Sequence, residues 1–155
     1  MAADPASKLR EFVEGNTETR KQLEDLVAGL SISQLSLQME DSDWTISAAL
    51  AHLAFWDRCI IVKLDEWERE QKEPRWMGGD EANFAALPQW LALPGPIAAK
   101  QAAEAARLLD ARIEQVPAWL VEAVAETDWR YLIRRAGHRR EHLDQIELTL
   151  RNCGC

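Results

Sequence analysis

A chain of 155 residues with 47% hydrophobic and 28% charged residues has the composition of a soluble globular protein. It reads as one domain over residues 1–155, long enough to bury a core without disulfide or metal staples. A net charge of −8 repels phosphate and argues against nucleic-acid binding, and no run approaches the roughly 18 consecutive apolar residues of a membrane span. The N-terminus carries neither a basic region nor an apolar one, so a cytoplasmic protein without membrane attachment is expected. The three cysteines, Cys59 in a helical pattern and Cys153 and Cys155 at the tail, read as reduced thiols.

Asp4-Pro5 opens the first helix, with a capping acceptor followed by proline in the first turn. Leu9, Phe12, Val13, Leu23, Leu26, Val27 and Leu30 continue it at a period near 3.6. Gly15-Asn16 weakens this run without breaking it, and Gly29 is the stop. Ser31 with Gln34 forms a capping box for a short helix reaching about Gln38. A second long helix runs from near Thr45 to about Gln71. Its buried stripe is Ile46, Ala49, Leu50, Leu53, Ile60, Ile61, Leu64 and Trp67.

From Glu73 to Pro96 the glycines and prolines predict a long connection, with Trp76, Phe84 and Trp90 as lid or core plugs. Some twenty extended residues can travel the length of a helix of about 40 Å, which allows the second and third helices to run in parallel. The third helix spans Ile97 to Val116, Pro117 ends it or opens a short helix to about Ala125, and the last runs from about Trp129 to Asn152. The fold class is therefore all-α, a four-helix bundle with a long crossover between helices two and three.

Only three histidines occur, and their placement suits a metal. His138 and His142 stand four apart on one helical face, where both can reach one ion. His52 lies at the edge of the second helix's stripe, with Ala48, Ala49 and Ala51 leaving room around it. Three imidazoles with one side open are the pattern of a catalytic centre rather than a structural one. Tyr131, Arg135, Gln145 and Thr149 share the face of His138 and His142. Glu141 and Tyr131 are the candidate catalytic groups. Arg135 is either a clamp for a cofactor carboxylate or a surface ion pair, and Asp57 and Trp56 edge the pocket. The run Arg130, Arg134, Arg135, Arg139, Arg140 reads as a solvated helix paired with acids such as Glu66 and Glu70.

Trp44-Thr45-Ile46-Ser47 leading into Leu50-Ala51-His52-Leu53-Ala54-Phe55-Trp56-Asp57 resembles the first metal-histidine signature of the DinB-like (YfiT-like) metalloenzyme superfamily. Gly137-His138-Arg139-Arg140-Glu141-His142 is similar to that family's second and third metal histidines, and Leu30-Ser31-Ile32-Ser33-Gln34-Leu35 to its usual link between the first two helices. Asn83, in Gly79-Asp80-Glu81-Ala82-Asn83, is also familiar from the family. The resemblance implies an up-down-down-up bundle and a divalent metal, zinc or nickel, held by His52, His138 and His142. It further implies a homodimer, and a thiol-dependent transferase or isomerase using bacillithiol, mycothiol or glutathione, as in mycothiol-dependent maleylpyruvate isomerase. The expected activity is metal-assisted attack of a thiol or water on a small electrophilic substrate. The alternatives are a non-catalytic metal-binding bundle serving as sensor or binding protein, and a plain helical interaction module.

Overall fold

The computed structural model describes residues 4–76 and 78–154, and every regular element among them is helical. Helix α1 spans Pro5–Gly29, α2 Ile32–Leu35, α3 Ile46–Glu70, α4 Gly79–Ala92, α5 Gly95–Glu114, α6 Ala118–Ala125 and α7 Ala136–Cys153, with a 3-10 turn at Asp128–Leu132. None of these helices is long and apolar enough to cross a membrane.

Local signals account for most boundaries. Pro5 supplies the first turn of α1, although the Asp4 side chain makes no capping bond. Ser31 and Gln34 form the expected capping box, at 3.2 and 2.9 Å, but α2 stops after one turn. Beyond it the chain folds into a tight loop, where Met39 N donates to Trp44 O and Ile46 N to Leu37 O. Thr45 then caps α3 by accepting from Ala48 N at 3.1 Å. Gln71, with φ of 49°, ends α3.

The segment predicted as an open connection over 73–96 contains α4. Its grammar misled because Pro88 lies inside the helix, where it lacks an N–H for the Phe84 carbonyl. Of the three aromatics there, Trp90 is buried, whereas Trp76 and Phe84 are exposed, Phe84 at 84%. Only Trp90 is a core plug. Gly95 then lets α5 start against α2, since a Cβ there would lie 2.8 Å from the Leu35 Cβ.

Two apolar clusters run along the long helices. Leu50 and Leu53 of α3 pack with Ala98, Ala102 and Ala106 of α5, Leu23 of α1, and Leu143 and Ile146 of α7. Ile60, Leu64 and Trp67 of α3 join Leu109 and Ile113 of α5, Leu120 and Val124 of α6, and Leu9, Phe12 and Val13 of α1. Each fully buried leucine or isoleucine contributes about 1.5–3 kcal/mol. The alanines of α5 do something else: having almost no side chain, they let α5 approach α3 closely.

The last helix begins at Ala136, not Trp129, because α1 intrudes on its start. Buried Asn16 accepts from Arg135 N at 2.8 Å and Ala136 N at 3.0 Å, and donates to Ile133 O at 2.9 Å. A side chain from a distant helix thus caps α7, which a local reading cannot see. The cysteine expectation also needs correction. Cys153 is disulfide-bonded, while Cys59 is a free thiol. Cys155 lies outside the described residues.

The arginine run is corrected as well. Arg130, Arg134 and Arg140 are exposed, but Arg135 and Arg139 are buried, and Glu66 and Glu70 pair instead with Lys63 and Arg69. The buried arginines converge on Asp57, itself 1% exposed. Its Oδ1 accepts from Arg135 Nε at 3.1 Å and its Oδ2 from Arg139 Nη2 at 3.1 Å. Arg139 also reaches the Asn16 carbonyl at 3.2 Å and lies 2.8 Å from Asp110 Oδ1, though not aligned for a hydrogen bond there. Asp110 Oδ2 accepts from Arg20 Nε at 2.9 Å. Burial pushes the Asp110 carboxyl up, while Arg139 and Arg20 pull it back down. One charge network therefore ties α1, α3, α5 and α7 together.

Because removing one partner strands buried charge, Arg139→Met is expected to cost about 3–5 kcal/mol in urea denaturation. A loss below about 1 kcal/mol would contradict this role for the network.

Candidate metal centre

His52 lies on the second turn of α3 among buried alanines, and His138 and His142 on the first two turns of α7. The three rings converge, with centroids 5.1 Å apart for His52 and His138, 4.7 Å for His52 and His142, and 4.9 Å for His138 and His142. One ring nitrogen from each lies within 4.8 Å of the other two. His52 Nε2 and His138 Nε2 are 3.1 Å apart. Two nitrogens bound tetrahedrally to one zinc, each at about 2.0–2.1 Å, stand roughly 3.4 Å apart, so little movement separates this arrangement from ligation.

Aromatic rings wall the cluster. Trp44 is 4.9 Å from His52 and stacks on His142 at 6.4 Å, and Trp90 is 5.2 Å from His52. Dry surroundings disfavour a charged imidazole. Burial, reinforced by His142, holds His52 down to about 3. Burial and then the Arg135 charge hold His138 down to about 2. His142 is also lowered by burial, against the opposing pull of Gln145 and Glu141. All three are neutral at pH 7, the protonation state a cation requires.

Hydrogen bonds assign the tautomers. Arginine only donates, so Arg135 Nη2, at 2.8 Å, gives a proton to His138 Nδ1. Neutral His138 then carries its own proton on Nε2 and donates to His52 Nε2. His52 is left with its proton on Nδ1, which has no hydrogen-bond partner; Asn83 comes near this ring without meeting hydrogen-bond geometry. His142 Nδ1 donates to Gln145 Oε1 at 2.9 Å, leaving Nε2 free. His142 is thus set as a ligand, its far ring nitrogen bonded to an acceptor as in most metal-binding histidines. His138 is not. To ligate through Nε2 it must move its proton to Nδ1, and the Arg135 bond must give way.

The donor set fits a divalent cation: three neutral imidazoles with ligand atoms within 4.8 Å of one another, one of them, His142, already correctly oriented. On one side of the cluster lies a recess of about 280 Å³ bordered by His52, His138, Trp56, Asn83, Tyr131 and Arg135. On the other lies a recess of about 330 Å³ bordered by His142, Trp44 and Gln145. Tyr131 is part-buried, and burial pushes its phenol up to about 12, so it is a neutral donor. Glu141 is exposed and borders neither recess. Asp57 lies beneath the site rather than at its edge, holding Arg135. Trp56 does edge the recess and donates to Asn83 Oδ1 at 2.8 Å.

Gln145 lies on the histidine face as its spacing predicts and accepts from His142, whereas Trp90 was read only as a lid or core plug, because it meets His52 from another helix. Comparison with protein-family models, with curated proteins and with solved structures finds no match.

Arg135→Gln offers His138 Nδ1–H an acceptor and leaves Asp57 its Arg139 partner. Competition titration with a chromophoric chelator is expected to show zinc binding tighter by on the order of tenfold. Weaker binding by a variant that melts normally would contradict the tautomer assignment.

Proposed function

We propose that the chain is a metal-dependent enzyme of the DinB-like type, in which His52, His138 and His142 hold one divalent cation, zinc or nickel. The observation that carries this reading is the convergence of three neutral imidazoles, ligand atoms within 4.8 Å, beside a recess of about 280 Å³. When bound, such a cation supplies Lewis acidity that makes a weakly acidic ligand, water or a thiol, nucleophilic at neutral pH.

The chain's own residues do the rest. Trp44, Trp56 and Trp90 exclude water from the imidazoles. Arg135 and Tyr131 are the recess's donors toward an anionic group, such as the carboxylate of a low-molecular-weight thiol or of a substrate. Glu141 has no place in this reading, since it faces solvent.

An up-down-down-up order for α1, α3, α5 and α7 belongs to the same proposal. It is supported by the shared cores: start with start and end with end for α3 and α5, and the reverse for α1 against both. A homodimer, as the resemblance implies, completes it.

Untagged protein loaded with zinc or nickel is expected to conjugate bacillithiol, mycothiol or glutathione to monochlorobimane at least about 100-fold faster than the free thiol, a modest enzymatic acceleration. His52→Ala should abolish that rate while retaining a cooperative melt. Stoichiometric metal with no rate above the free thiol for any of the three would overturn the enzymatic reading.

A further inference from the structure

A further cavity adjoins the recess of His52 and His138. It measures about 440 Å³, inside the range of small-molecule sites, about 300–1,000 Å³. It lies between α3, α4 and α5, walled by Phe55, Trp56, Trp76 and Trp90. Trp56 and Trp76 stack at 5.3 Å, and both also border the recess that holds His52 and His138. A molecule seated in the larger cavity therefore rests on the same indole pair that faces the histidines.

Its charge is one-sided. Arg58 and Lys63 border it and, among the described residues, no carboxylate does, although the chain has 26 acidic side chains against 18 basic ones. Lys63 also bonds Glu66 at 3.0 Å, while Arg58 stands exposed at the cavity's edge. Aromatic walls with cations at the margin select an apolar body carrying one negative group.

We propose that this cavity binds a small organic anion with an apolar body, its negative group held by Arg58 and Lys63. We further assign this as the substrate class of the histidine centre. The substrate assignment rests on the enzymatic reading above; the binding itself does not. Hydrophobic contact with four aromatic rings supplies affinity, and the two cations supply selection by sign.

Three probes with one apolar tail separate these contributions: octanoate, 1-octanol and octylammonium, titrated into chelator-treated and zinc-loaded protein by tryptophan fluorescence and calorimetry. Octanoate is expected to bind about tenfold tighter than 1-octanol, with octylammonium weakest, in both preparations. Arg58→Glu, an exposed substitution, should reverse the order of octanoate and octylammonium. Cys59 borders the cavity as a free thiol and reports on occupancy. Octanoate should slow its alkylation by iodoacetamide at least about fivefold by peptide mass spectrometry, as mass action at several times Kd requires.

Equal affinities for the three probes, an unchanged order in Arg58→Glu, or unprotected Cys59 would each overturn the site. Octanoate binding by protein that takes up no zinc supports the site and removes the substrate assignment. Zinc uptake and thiol turnover without octanoate binding refutes the site and leaves the enzymatic reading standing.

Discussion

The buried carboxylate of Asp57 decides where the two halves of the candidate site meet. It sits on α3, five residues after His52, and receives Arg135 and Arg139 from the start of α7. Both arginines flank His138 in sequence, so satisfying Asp57 brings His138 against His52. Leaving any of these charges unpaired in the interior would cost several kcal/mol. The ion network is therefore a registration device more than a source of stability. It fixes the height of α7 along α3, and with it the gap between imidazoles.

That registration has a chemical consequence at the same atoms. Arg135 spans Asp57 and His138, so it couples the structural network to the tautomer of one ligand. His142, oriented by Gln145, is already set for a cation, and His138 is set for its neighbour. The three histidines are thus not equivalent, and the arginine controls the difference. The same guanidinium borders the recess, where an anionic group would compete for it. Metal loading and anion binding would then draw on one side chain.

How much of this was legible in the sequence depends on how local each cause is. The helical spacing of His138 and His142 is a property of five consecutive residues, and the alanines around His52 are its immediate neighbours, so these parts could be read locally; that His52 joins the pair on one ion was what the family resemblance implied. Helix α4 could not, because Pro88 and the paired glycines signal a loop and its apolar residues trace no clean stripe. Asn16 looked like a weak point in α1, yet it caps α7 some 120 positions away. Arg135 and Arg139 look solvated in a basic run, and only the fold brings them to a carboxylate 78 and 82 positions distant. Long-range polar partners carry no periodic signal, and they are what sets this site.

If three imidazoles of this chain hold one divalent cation, with His138 switching tautomer to join, zinc K-edge X-ray absorption on untagged protein loaded with one equivalent of zinc sees them. A four-coordinate ion is expected, with three imidazole nitrogens at about 2.0–2.1 Å and one further light atom, and with one imidazole lost from the shell in His138→Ala. An oxygen-only shell, two imidazoles in the parent, or failure to retain one equivalent of zinc would contradict it.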